Sequence, residues 1–179
     1  MANEKITQES LQDIYSSINN VLKNIKTNDI TSESSDSFSQ LPDGYYLAEL
    51  VKAELKTSKS SGAPMVAWQF KTVENGVCFD GDLTRTSINK SKGKTLFLYH
   101  SLKDESAMER FISDALKFEG DEPGKSLLEK EYFENAEVLH DALDVLIGSY
   151  IWLHVDTDKD NNTWTRIVSW KRAAKLELV

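Results

Sequence analysis

Residues 65–88 read MVAWQFKTVENGVCFDGDLTRTSI, and this stretch decides the fold class. Its first half alternates as a strand with one buried face does, with Val66, Trp68 and Phe70 on one side and Ala67, Gln69 and Lys71 on the other. The pair Asn75-Gly76 is typical of a tight hairpin turn. The stretch therefore predicts a second strand over 65–73 and a third strand over 77–88.

Further strands are predicted on both sides of this hairpin. Upstream, a turn at 41–44 leads into a first strand over 45–55, and a loop follows at 56–64. Downstream, the basic turn NKSKGK at 89–94 leads into a strand over 95–102. We expect that strand to double back on the third strand.

Helices and a last hairpin follow the strands. Helical stripes of apolar residues, at spacings of three and four, run from 104 to 118 and from 135 to 147. Strict alternation then predicts strands over 150–156 and 163–170. Three meandering strands, a helix and a hairpin are the element order of the OB-fold, a partly open five-stranded barrel.

The N-terminus carries a separate helical pattern. Five apolar residues recur at alternating spacings of three and four: Leu11, Ile14, Ile18, Val21 and Ile25. They occupy coiled-coil a and d positions, where β-branched residues favour three or four strands over two. The pattern predicts homo-oligomerisation as a trimer or tetramer, and the alternative is a helix that packs on its own domain or on a partner.

Composition sets the domain boundaries. We assign 1–26 to an N-terminal amphipathic oligomerisation helix, 27–40 to a flexible serine-rich linker, 41–172 to an OB-like binding domain and 173–179 to a C-terminal tail. The predicted fold class is mainly β with helices (α+β): an OB-fold-like five-stranded barrel with an added hairpin and helices, plus a separate N-terminal helix.

The net charge of −8 hides a separation of charge along the chain. Residues 56–103 hold eight basic and three acidic residues, whereas residues 104–148 hold four basic and thirteen acidic residues. If the fold keeps these segments apart, one face is positive on an otherwise negative molecule. Two differently solvated surfaces are the alternative.

Several classes of function lack their sequence signals. Cys78 is the single cysteine, and His100, His140 and His154 show no metal-ligand spacing, so we expect no disulfide, metal or cofactor. No nucleophile-elbow or phosphate-loop motif occurs, which predicts a protein that is not an enzyme. No apolar run is long enough to span a bilayer and no signal peptide is recognisable, so we expect no membrane association and a cytoplasmic location.

The loop DTDKDNN at 156–162 has acidic residues at the first, third and fifth positions of a calcium loop. Its sixth position is Asn161 where glycine belongs, and its twelfth is Ile167 where a bidentate glutamate belongs. We therefore predict an ordinary hairpin turn.

Five short motifs carry a family resemblance: Leu41-Pro42-Asp43-Gly44-Tyr45-Tyr46, Lys56-Thr57-Ser58-Lys59, Gly62-Ala63-Pro64-Met65, Trp68-Gln69-Phe70 and Leu146-Ile147-Gly148. With them the chain resembles the small OB-type proteins of tailed-phage replication modules over roughly 42–172. The resemblance implies an OB-fold, binding of single-stranded DNA in phage-type replication or recombination, and a location in the host cytoplasm.

OB-folds bind nucleic acid across strands two and three, between the first loop and the last hairpin loop. Single-strand binding needs cations for phosphates and aromatic faces for bases. The residues predicted at those places are Lys56, Lys59, Lys71, Arg85, Lys90, Lys92, Lys94, Tyr99, Trp152 and Arg166, with Trp164 as a further aromatic candidate. Trp152 is free to stack unless a helix packs on its face, and loop lysines also serve solubility alone.

The leading hypothesis is a non-catalytic, sequence-independent single-stranded DNA-binding protein. The alternative is a protein-interaction module, such as a phage factor that binds or inhibits a host or defence protein through its acidic face or its N-terminal helix. The thirteen acidic residues of 104–148 favour this alternative, because such a surface attracts a basic partner.

Overall fold

A computed structural model describes residues 8–25, 37–38 and 41–179, and within these ranges the chain forms four α-helices and eight β-strands. The helices are α1 (Gln8–Leu22), α2 (Glu105–Ala115), α3 (Ala136–Leu146) and α4 (Trp170–Lys175), with a 3-10 helix at Lys130–Phe133. The strands are β1 (Ser37–Phe38), β2 (Gly44–Thr57), β3 (Pro64–Thr72), β4 (Gly76–Phe79), β5 (Arg85–Ile88), β6 (Thr95–Ser101), β7 (Tyr150–Thr157) and β8 (Thr163–Val168). The predicted α+β class is confirmed.

The strands form one antiparallel sheet in the order β1-β8-β7-β2-β3-β6, and β4 and β5 form a hairpin attached to β2. Strand β1 pairs with β8, and its Cα atoms also come within 8 Å of β6. The two helices α2 and α3 lie in the chain between β6 and β7. This arrangement is compatible with the predicted OB-like barrel.

The long strand β2 joins the two halves of the sheet. Its first part pairs with β7 and its second part with β3. The register shifts between Leu50 and Lys52, which is a β-bulge on β2. Because a bulge bends and twists its strand, β2 can serve both halves of a curved sheet.

The predicted third strand is interrupted. Residues 80–84 form a turn in which Leu83 N donates to Asp80 O at 2.7 Å, and this turn separates β4 from β5. Strand β6 pairs with β3, with Leu96 opposite Phe70, so the expected return along the third strand is wrong. The Asp80-Gly81-Asp82 sequence favours this turn. The tight hairpin predicted at Asn75-Gly76 is also wrong, because β4 pairs with β2 and β5 instead of β3, which leaves the edge of β3 to β6.

Helix α1 packs against its own domain. Ile14, Ile18 and Leu22 are buried in the main core, and Ile18 is fully buried. Asn19 Oδ1 accepts a hydrogen bond from Ala136 N at 2.7 Å, at the first residue of α3. The structure thus corrects the expectation of a helix apart from the domain in favour of the alternative.

The oligomerisation residues therefore already have apolar neighbours within the chain, since Leu11, Val21 and Ile25 also pack against the main core. Assembly into a trimer or tetramer stays a prediction. Of the predicted linker, residues 27–36 and 39–40 lie outside the described residues, and residues 37–38 form β1. The predicted tail begins inside α4, and its Leu178 is buried.

Candidate nucleic-acid interface

The sheet has an inner face covered by α1, α2 and α3, and an outer face that no described helix covers over β3, β6 and the second half of β2. Register and alternation place Ala53, Trp68 and Leu98 side by side on the inner face. The neighbouring positions point outward. We call this outer surface the open face, and its members are Lys52, Glu54, Lys56, Met65, Ala67, Gln69, Lys71, Phe97 and Tyr99.

Two aromatic side chains stand on the open face. Phe97 is 50% exposed and Tyr99 is 49% exposed, although both belong to a regular strand. They are two residues apart, about 6.6 Å along β6. The ammonium of Lys56 lies 5.1 Å from the centre of the Tyr99 ring, within the range of a cation–π interaction. The open face therefore combines accessible aromatic rings with a neighbouring cation.

Strand β6 is anchored from its inner side by a buried polar network. Trp68 Nε1 donates to His100 Nδ1 at 2.9 Å, and His100 Nε2 lies 2.7 Å from Asp114 Oδ2. Lys117 Nζ donates to Asp114 Oδ1 at 2.7 Å and to Ile167 O at 2.8 Å. The network links β3, β6, α2 and β8.

The geometry sets the proton positions in this network. An indole N–H can only donate, so His100 Nδ1 accepts and the ring proton is on Nε2, directed at Asp114. Burial raises the pKa of Asp114, but the hydrogen bond from His100 and the ammonium of Lys117 outweigh it and hold that pKa below its usual range. Phe97 and Tyr99 are thus presented by a firmly held strand.

The predicted lysines lie around the open face. Lys56 and Lys71 belong to it, and Lys59 follows in the loop after β2. Lys90, Lys92 and Lys94 are exposed on the loop before β6. That loop is tied to β3, because Lys94 N donates to Thr72 Oγ1 at 2.8 Å and Thr72 Oγ1 donates to Ser91 O at 2.6 Å.

Carboxylates moderate this positive charge. Glu54 pairs with Lys52 at 2.6 Å, and both side chains are about half exposed. Glu49 is the register partner of Lys71 on the neighbouring strand. The open face is consequently mixed in charge, and the lysine surplus lies at its two ends.

Three predicted residues lie away from the open face. Trp152 is only 2% exposed, because it packs in a cluster with Val77, Val168, Ala173 and Leu178, so its prediction as a stacking residue is wrong. Arg166 is half-buried on β8, opposite His154. Arg85 lies on β5, where its Nη1 donates to Glu177 O at 3.2 Å. Trp164 is also distant, with Nε1 donating to Asp158 Oδ2 at 3.0 Å.

Trp152 belongs to a second region of the same outer face, which we call the covered half: Tyr45, Leu47, Trp152, His154 and Val168. Trp152 and Val168 are buried in one cluster with Val77, Ala173 and Leu178, and Tyr45 and Leu47 are partly buried against it. Tyr45 stacks on His154 with ring centroids 4.4 Å apart. Burial lowers the pKa of His154, and Arg166 and Arg172 lower it further, against the opposing effect of Asp156.

Sequence reasoning missed Phe97, Lys52 and Tyr150. Phe97 has the same strand parity as Tyr99, which could have identified it. Lys52 was hidden by the bulge, which changes the parity of β2. Tyr150 is 50% exposed and is the register partner of Glu49, which puts it at the border of the open face.

The 156–162 loop is a hairpin turn, as predicted. Asp158 Oδ1 accepts from Asp160 N and Asn162 N, both at 2.9 Å. Hydrogen bonds from Trp164 and Asn162 lower the pKa of Asp158 to about 2. Among the described residues no three His, Cys, Asp or Glu side chains are grouped as metal ligands would be. The helices in the described ranges are too short or too polar to cross a membrane.

Fold and surface together define a class: a barrel-like α+β protein with an aromatic, lysine-bordered sheet face. The chain belongs to the family described as protein of unknown function (DUF669), whose model matches residues 23–119. The matched region contains β2 to β6, and therefore the whole open face. No curated protein matches the chain.

Proposed function

We propose that the chain is a non-catalytic, sequence-independent single-stranded DNA-binding protein whose binding surface is the open face. The observation that carries this proposal is the pair Phe97 and Tyr99, half-exposed on one strand with Lys56 beside Tyr99. Exposed rings on a sheet stack nucleobases of any identity, because every base has a π-face. Lysines at the border neutralise phosphates without reading sequence.

The size of the surface supports a strand of several nucleotides. Tyr150, Glu49, Lys71 and Thr95 are successive partners across β7, β2, β3 and β6. Three strand spacings make this path about 14 Å wide. A bound strand would run from Phe97 and Tyr99 past Lys71 towards Tyr150.

The resemblance to phage replication proteins agrees with this proposal, and it suggests a role in phage-type DNA replication or recombination in the host cytoplasm. Stacking contributes about 1–3 kcal/mol for each base. Two rings and a few phosphate contacts are sufficient for a moderate affinity that depends strongly on salt.

The test is a salt titration of fluorescein-labelled oligo-dT binding, followed by fluorescence anisotropy. We expect the full chain to bind at low salt and to lose affinity steeply as salt rises. Lys71→Glu should weaken binding and reduce the slope of log K against log salt by about 0.7, the value for one lost phosphate contact on a single strand.

Lys23→Glu is the matched control, because Lys23 is also exposed but directly follows α1, which covers the inner face of the sheet. It should leave the slope unchanged. Absence of binding to oligo-dT at low salt would refute the proposal. Magnesium-dependent degradation of the labelled DNA, abolished by one point substitution, would refute its non-catalytic part.

A further inference from the structure

A groove of about 950 Å³ lies between residues 119–127, the start of β7 and α4. Its walls are largely apolar and include Leu47, Leu127 and Trp170. The volume is near the top of the range of ordinary ligand pockets, about 300–1,000 Å³, so the groove has room for several side chains. Leu127 and Trp170 also pack against the main core, so the groove lies at its edge, beside Tyr150.

The loop that forms one wall is held in shape by its own hydrogen bonds. Leu127 N donates to Phe118 O at 2.7 Å, and Glu119 pairs with Ser126 in an isolated β-bridge. Gly124 N donates to Glu119 Oε2 at 2.7 Å. The wall is therefore formed before any ligand arrives, which lowers the entropic cost of binding.

The charge of the groove points to one kind of occupant. Glu119 and Asp121 line it on the loop side, and Lys171 lines it on the side of α4. The loop belongs to the acidic segment 104–148, which contains thirteen acidic and four basic residues. Two carboxylates against one ammonium in the lining repel phosphate and attract lysine or arginine.

We propose that this groove docks a segment of another protein in which apolar side chains are flanked by lysine or arginine. The apolar residues would pack against Trp170 and Leu127, and the basic residues would pair with Glu119 and Asp121. Tryptophan in a partly buried pocket is a frequent anchor of such interfaces. This activity goes beyond single-strand binding and does not depend on it.

The experiment is selection from a random dodecapeptide library against the full chain, followed by anisotropy of the best enriched peptide. We expect the enriched peptides to combine large apolar residues with lysine or arginine. Asp121→Lys, an exposed substitution, should weaken binding of that peptide about three- to tenfold. Asp82→Lys is the matched control with the same charge change in the 80–84 turn, none of whose residues lines the groove, and it should have no effect.

Measuring the binding of oligo-dT distinguishes a protein segment from a nucleic acid as the occupant of the groove. If a nucleic acid occupied the groove, Asp121→Lys would tighten oligo-dT binding more than Asp82→Lys does, and that outcome would overturn the proposal. Enriched peptides that are acidic, a selection that yields no enrichment, or peptides that bind Asp121→Lys as well as the unaltered chain would also overturn it.

Discussion

The open face and the covered half belong to the outer side of one sheet, yet their central aromatic residues differ sharply in exposure. Tyr99 on β6 is 49% exposed, whereas Trp152 on β7 is 2% exposed. Both aromatic residues point away from the main core. The difference is that Trp152 packs in a cluster with Ala173 of α4 and with Leu178, while no described element covers Tyr99 to that extent.

This contrast teaches that strand alternation identifies a face but does not report whether that face is covered. The run from Tyr150 to Val155 alternates strictly, and its two sides are assigned correctly from sequence. Yet Tyr150 is half-exposed and Trp152, two residues later, is buried. Trp152 is buried by residues such as Ala173 and Leu178 from the C-terminal segment, and alternation within β7 carries no information about that segment.

The largest expected effect concerns Trp152. Trp152→Ala should lower the free energy of unfolding by about 3–5 kcal/mol, since it removes a large side chain from a packed cluster. Urea unfolding followed by circular dichroism measures this loss. A loss below about 1 kcal/mol would mean that α4 does not cover the sheet in solution.

Helix α1 provides the second test, because it covers the inner face as α4 covers part of the outer face. Ile18→Ala should cost about 2–5 kcal/mol of stability, as for other buried isoleucines. Since Ile18 is buried within the chain, the mass in solution should not change. A shift from trimer or tetramer to monomer in light scattering would restore the coiled-coil interpretation.

Phe97 should behave in the opposite way to Trp152. Phe97→Ala changes an exposed side chain, so stability should stay within about 0.5 kcal/mol of the unaltered chain. Binding of oligo-dT should weaken by about 1–3 kcal/mol through lost stacking. Unfolding curves and anisotropy on the same samples check both values, and a stability loss like that of Trp152→Ala would remove the distinction between the two regions.

The smallest effect concerns the pH dependence of the covered half. Burial lowers the pKa of His154 in the folded chain, so the unfolded chain takes up this proton first as pH falls. The stability contributed by neutral His154 is present above about pH 6.5 and declines as pH falls through and below that value. Urea unfolding at pH 7.5 and pH 5 measures the change.

His154→Gln is the control for this titration, because glutamine does not take up a proton. The variant should lose part of the difference in stability between the two pH values. An NMR titration of His154 that gives an unshifted or raised pKa would contradict the expected direction.

Local signals predicted the elements well. The alternation around Trp68 correctly placed β3, but the hairpin predicted at Asn75-Gly76 is wrong, because β4 pairs with β2 and β5 and not with β3. The partner of β6 was missed for the same reason, since the edge of β3 that β4 was expected to occupy pairs with β6. Most elements placed by local pattern are thus correct here, apart from the third strand, which is broken in two, and the pairings between strands are less well predicted.

The same limit applies to the candidate site. Lys56, Lys71 and Tyr99 lie on the open face because their strand parity could be read from sequence. The prediction of Trp152 as a stacking residue failed, because its burial depends on Ala173 and Leu178. These residues come more than twenty positions later, in a segment expected to be a tail. The bulge in β2 hid Lys52 for the related reason that a single extra residue reverses parity.

The buried network of Trp68, His100, Asp114 and Lys117 has a consequence for measurement. The Trp68 indole proton is hydrogen-bonded to His100 in a buried network whose members come from four elements. Local fraying of one element should not expose this proton to solvent. Its exchange with deuterium should therefore require global unfolding of the domain. One resolved indole resonance would therefore report the global free energy of unfolding in native buffer, with no denaturant and no extrapolation.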